Sequence, residues 1–118
     1  PNYTQYVERT RRADATTALT RIAGQLERCY TQFGKYNDPL CDQYEEVNKG
    51  FKSEEKDYDL SIAAVAGSNA KQSYVLTATA RADGSQANDD TCDTFTLTHV
   101  GLRGSTPAPA AGADNPCW

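Results

Sequence analysis

The chain has no methionine, one histidine (His99), one tryptophan (Trp118) and no run approaching the roughly 20 apolar residues needed to cross a bilayer. With a mean hydropathy of −0.71, no membrane-spanning or targeting segment is visible in it. There is no C-x-x-C pair, so with a single histidine a zinc site lacks both the spacing and the usual ligands. A cationic excess is also missing: 12 Lys and Arg against 16 Asp and Glu give a net charge of −4. A general nucleic-acid surface lines one face with cations to release counterions, so nucleic acid is not the expected partner.

Four cysteines are present: Cys29, Cys41, Cys92 and Cys117. An even count in a small polar domain reads as two disulfides and places the chain in the periplasm or outside the cell. A domain of 118 residues buries a modest fraction of its surface and gains from crosslinks. Three pairings are possible. Locality favours Cys29 with Cys41 and Cys92 with Cys117, each contributing about 3 kcal/mol in the chain-entropy model. Such a chain crosses a membrane, yet it begins at Pro1 with neither methionine nor signal peptide, so an upstream segment is expected to have been removed.

A single domain spans 1–118. Residues 1–33 are expected to form one long helix, which Pro1 can start because it has no N–H to leave unpaired. From Ala15 the apolar residues Ala15, Leu19, Ile22, Leu26, Cys29, Tyr30 and Phe33 keep one stripe at 3.6 residues per turn. Before Ala15 the large apolar groups are Tyr3, Tyr6 and Val7, followed by Glu8-Arg9-Thr10-Arg11-Arg12. A helix polar nearly all round is not buried by its own domain, so about the first dozen residues are expected to project. Gly34 stops the helix. Residues 34–56 form a polar connection pinned by Cys41. Strands are expected at 58–65, 73–80 and 94–100, with a short fourth around Leu102; Phe95 and Leu97 point inward. The sheet region is 57–100, and the Pro/Ala/Gly-rich tail 101–118 is closed into a loop by Cys117, with Trp118 against the sheet edge or exposed. The expected fold is α+β, a long helix on a three- to four-stranded antiparallel sheet.

Residues 1–33 hold five arginines against three carboxylates, a net of +2, which leaves −6 for residues 34–118. The cluster Arg9, Arg11, Arg12 reads as a solvated helix face or, more sharply, as a contact with lipid head groups or acidic patches of neighbouring copies. Asp89, Asp90 and Asp93 lack the Asp-x-Asp-x-Asp-Gly loop and distal Glu of a calcium site and read as a solvated turn, as do the carboxylates between Glu45 and Asp59 as a solvated surface. Cys29 and His99 as nucleophile and base have no third orienting group. No catalytic, metal or cofactor site is expected.

The segments PNYTQYVERTRRADA, QLERCYTQFGKY, YVLTATA, DTCDTFTLTHVGLRG and the terminal NPCW, in that order, resemble the type IV pilins and in detail the minor pilins of the PilE type, over essentially 1–118. The second cysteine pair and the insertion before Asp114 depart from the commonest pattern. The resemblance implies a helix packed on an antiparallel sheet, a disulfide-bounded C-terminal loop and a membrane-anchored subunit that polymerises. Its partners would be other major and minor pilins, with the inner membrane reached through a missing N-terminal helix. Its location would be the inner membrane first and the extracellular pilus afterwards. Tyr3, Tyr6, Arg9, Arg11 and Arg12 are the expected assembly interface. The function implied is a minor structural subunit acting in pilus assembly or initiation, and hence in twitching motility and attachment. A DNA-binding competence pilin and a secretion pseudopilin are the alternatives. From Leu60 to Trp118 the acids outnumber the cations Lys71, Arg81 and Arg103, which favours the structural role. The fragment itself is expected to be a soluble monomer without enzymatic activity.

Overall fold

From Asn2 to Phe33 the chain is one α-helix, α1, and most of the remainder folds against one face of it. The computed structural model describes residues 2–84, 86, 87, 89, 91–108 and 115–118. Ala15, Leu19, Ile22, Leu26 and Cys29 are at most 1% exposed, so the 4-3-4-3 spacing is the buried stripe. Tyr30 is only partly covered, through contact with the ring of Tyr36. The helix ends at Gly34, whose N–H donates to the Tyr30 carbonyl at 2.8 Å. At φ +76° that residue sits where a Cβ is strained, which is why glycine terminates the helix here.

The sheet has five strands rather than three or four: β1 (Phe51–Lys52), β2 (Tyr58–Ala63), β3 (Val75–Ala80), β4 (Thr94–Thr98) and β5 (Arg103–Thr106). They form an antiparallel meander in the order β1-β2-β3-β4-β5. The connection 34–56 is not irregular throughout; it carries a short helix, α2 (Gln43–Asn48), and β1, and Val47 from α2 enters the core. The short strand expected around Leu102 is β5, which begins one residue on, and the unforeseen strand is β1, only two residues long. Three strand ends also fall short of expectation. Ser73 leaves the ladder, its hydroxyl donating to the Asn69 carbonyl and accepting from the Val65 N–H. His99, beyond β4, donates its backbone N–H to Tyr74.

Register sets the core. Leu60 faces Ala78, which faces Phe95; Ile62 faces Leu76, which faces Leu97. These rows and Tyr58 meet Leu19, Ile22 and Leu26 of α1, which crosses β3 and β4. Each fully buried large apolar side chain stabilises the fold by about 1.5–3 kcal/mol. The opposite face of the sheet presents Asp59, Ser61, Thr77, Thr79, Thr94 and Thr96, a hydroxyl-rich surface. Cys29 is bonded to Cys41 and Cys92 to Cys117, with Cα separations of 5.9 and 5.8 Å. The second bond brings the chain end back so that Trp118 Nε1 donates to the Gly104 carbonyl at 2.8 Å, with the indole edge-on to Phe95.

Three tyrosines are sunk into this core. Burial pushes the phenols of Tyr36 and Tyr58 up to about 12. Tyr74 is raised too, by burial and by donating to Glu27 Oε2 at 3.0 Å. Since folding raises these values above the ordinary one of about 10, the stability they carry is complete below that pH and lost as pH climbs through the folded values. The expected result is a urea midpoint that falls between about pH 10 and 12, with the tyrosinate absorbance of these three residues developing above the ordinary range. Ionisation of Tyr36, Tyr58 and Tyr74 at about pH 10 would contradict this packing.

Candidate functional site

The first turns of α1 differ from the rest of the helix. Tyr3 and Tyr6 are 77% and 63% exposed, and Arg9 is exposed with no carboxylate partner among the described residues. Tyr3, Tyr6 and Arg9 recur every three residues, so they share the helix side turned away from the sheet. An aromatic pair followed by a cation on one unpartnered face is chemistry suited to an apolar, anionic or carboxylate-bearing surface outside this domain.

The remaining two residues of the expected cluster are not in that group. Arg11 lies 3.7 Å from Asp57, although its side chain is about half exposed. Arg12 is a correction: it is not a solvated or interface cation but turns inward and holds Asp89 in a fork, Nε to Oδ2 at 2.7 Å and Nη2 to Oδ1 at 2.8 Å. Its guanidinium is held above its ordinary pKa chiefly by that hydrogen bond. Asp89 is 2% exposed, so the expected solvated turn is instead a buried carboxylate. Beside it Gln86, fully buried, donates to the Glu8 carbonyl at 3.0 Å and to Tyr58 Oη at 3.1 Å. These bonds fasten the helix to the β3–β4 connection as far back as Glu8. The projecting segment is therefore shorter than a dozen residues.

Sequence offered one signal for this. Arg12 stands three residues before Ala15 and seven before Leu19, so it continues the buried 3-4 stripe. A cation in phase with a core stripe requires a buried acid. Which acid supplies it, 77 residues away, is not written in local spacing. Asp14 was missed as well. Its carboxylate accepts from Ser53 Oγ at 2.5 Å and from the backbone N–H groups of Glu55 at 3.1 Å and Asp57 at 3.4 Å, pinning the turn between β1 and β2. Asp57 is likewise buried, not part of a solvated surface.

Asp93 is exposed, while Asp90, Asp114 and Pro1 lie outside the described residues. Among the described residues no three metal-ligating side chains come together. Cys29, being in a disulfide, carries no thiol for His99 to activate. His99 packs edge-on to Tyr36 and Tyr74.

Two grooves flank the exposed ridge of α1. One, of about 480 Å³, is lined by Thr16, Thr17, Thr20, Arg21, Arg103 and Trp118, with the Arg103 guanidinium 5.1 Å from the indole centroid. The other, of about 460 Å³, has Asp14, Glu54, Glu55 and Asp57 in its wall together with Arg11. Thr17 belongs to both.

Residues 1–96 match the family model described as type IV minor pilin ComP, DNA uptake sequence receptor. The structure is similar to that of a type IV pilin from Shewanella oneidensis, with a TM-score of 0.60 and 24% identity over 94% of this chain and 97% of that one. It is also similar to the non-core minor pilin PilV of Neisseria meningitidis, with a TM-score of 0.60 and 20% identity over 92% of this chain and 98% of that one. At these identities the two structures speak for the fold. No curated protein matches the chain by sequence.

Proposed function

The chain belongs to the ComP type IV minor pilin family, and on that premise we propose that it is a structural subunit taking part in the assembly or initiation of a type IV pilus, and through it in twitching motility and surface attachment. The observation that carries this reading is the start of α1, where Tyr3 and Tyr6 stay largely exposed on an ordered helix. Isolated helical turns are marginal in water, so an ordered segment of this kind is stabilised by a partner. In the proposal that partner is the helix bundle of neighbouring pilins, after an earlier stay in the inner membrane by way of an upstream apolar segment. The disulfides and the pinned turn at Asp14 keep the domain rigid during that transfer.

The test is the triple change Tyr3→Ser, Tyr6→Ser and Arg9→Glu in the complete subunit. The domain is expected to fold normally, with urea midpoints within experimental error of the unaltered protein, while surface pili and twitching fall to the level of cells lacking the subunit. Normal pili and normal twitching in the altered cells, or in cells without the subunit, would overturn the reading.

A second reading is DNA uptake, the role named in the family's description. The feature that favours it is the set Arg21, Arg28 and Arg103, exposed and without carboxylate partners among the described residues. Against it stands the charge of −6 on residues 34–118, which repels phosphate. A short duplex that shifts the domain in a gel at about 0.15 M salt would promote this second reading; no shift is expected.

A further inference from the structure

The Arg103–Trp118 groove is flanked by hydroxyls and by two cations, with no Asp or Glu side chain among the described residues that line it. Arg103 is preorganised: its guanidinium rests over an indole that is itself fixed by the Gly104 carbonyl and by the ring of Phe95. A cation held this way loses little side-chain entropy on meeting an anion. On the other side of the Thr17 ridge, Glu54 and Glu55 are exposed and have no ion pair among the described residues. Their turn is nonetheless rigid, because Asp14 accepts from Ser53 Oγ and from the Glu55 N–H. One flank of the same helix thus offers positioned cations and the other a positioned pair of carboxylates.

We propose that the groove formed by Arg21, Arg103 and Trp118 receives the Glu54–Glu55 turn of a second copy of this chain. The contact joins unlike surfaces, so each copy keeps a free groove and a free turn with which the contact can repeat. It rests on the assembly reading given above and names the surfaces that meet laterally. A pair of partly solvated ion contacts is weak in dilute solution, where the domain stays monomeric. It becomes effective at the local concentration of subunits held side by side. Charge complementarity across such a contact selects register more than it supplies affinity.

Because the chain has one tryptophan, the indole N–H resonance of Trp118 is a unique reporter. In the isolated domain that resonance is expected to shift with protein concentration toward the millimolar range, and to stop shifting in about 0.5 M salt, where exposed charges are screened. Arg21→Glu/Arg103→Glu in one protein and Glu54→Arg/Glu55→Arg in another should each abolish association. Mixing the two should restore it, since the acidic groove of the first then meets the basic turn of the second. All of these positions are exposed, and circular dichroism of each variant checks that it is folded. If one variant fails to fold, Glu54→Gln/Glu55→Gln supplies the same loss without charge reversal. A resonance independent of concentration, a shift that survives the charge changes, or a groove that responds to a short DNA duplex but not to a second copy overturns the proposal. Such a failure leaves the piliation test of the assembly role standing on its own.

Discussion

Arg12→Ala is expected to lower the unfolding free energy by about 3–5 kcal/mol, the largest effect of any single cation in the chain. The loss is not that of a surface ion pair, which is worth about 0–1 kcal/mol. The side chains of Arg12 and Asp89 are 13% and 1% exposed, and the pair is joined by two hydrogen bonds. Removing the guanidinium leaves a buried carboxylate with no countercharge and only the longer bonds from Gln86 Nε2 at 3.4 Å and the Thr91 N–H at 3.3 Å, and the penalty of that uncompensated charge dominates. The neighbouring change Arg9→Ala, at an exposed site, should stay within about 0.5 kcal/mol. A third variant separates the worth of the pair from the cost of breaking it. Arg12→Met with Asp89→Leu fills the same space with apolar groups and should recover most of the lost stability. Urea unfolding of the four proteins decides the matter, and equal midpoints for Arg9→Ala and Arg12→Ala would mean that the fork does not form in solution.

Leu26→Ala should cost about 2–5 kcal/mol. Leu26 is fully buried in the cluster that joins α1 to the sheet, among residues such as Leu19, Ile22 and Leu76 that are also closed to solvent. Deleting three carbons there removes transfer energy and leaves a cavity that a sheet on one side and a helix on the other cannot collapse to fill. Single domains are stable by only about 5–15 kcal/mol, so this one change consumes a large share of the total. Leu40→Ala serves as the control. Leu40 is 82% exposed, and its truncation should leave the melting temperature unchanged. A small shift for Leu26→Ala would place the centre of the core elsewhere.

These two residues also mark what the amino-acid sequence could and could not reveal. Leu26 was legible because helical burial has a period, and Ala15, Leu19, Ile22 and Leu26 repeat it without interruption. The inward strand positions Leu60, Ile62, Phe95 and Leu97 were legible for the parallel reason that strands alternate. Arg12 sat in a run with Arg9 and Arg11, and residue type alone gave the three one role. Their phases on the helix separate them, yet the deciding partner comes from a connection whose path depends on the whole tertiary structure. β5 was legible only as a short strand around Leu102, without its bounds. Its residues carry little strand propensity, and its place is set by pairing with β4 and by side-chain bonds between Ser105 and Asn115. The exposed Tyr3 and Tyr6 were readable as a polar-flanked start with no stripe to join. The Arg103–Trp118 groove could not be read, since it exists only when the last residue is folded back by its disulfide onto the fifth strand.

The outer strands of the sheet carry a further consequence. β1 is two residues long, β5 only four, and Pro107 follows β5 at once with no N–H to offer. Lys52 and Arg103 put a positive charge on each border. Short, charged, proline-stopped margins are the devices by which β-proteins refuse a foreign strand. In the assembly role proposed for it, the domain would sit beside other sheet-bearing subunits, where cross-β stacking is a hazard. Here backbone-to-backbone growth is blocked at both margins, so an ordered fibre built from this domain has to form through side chains and helices.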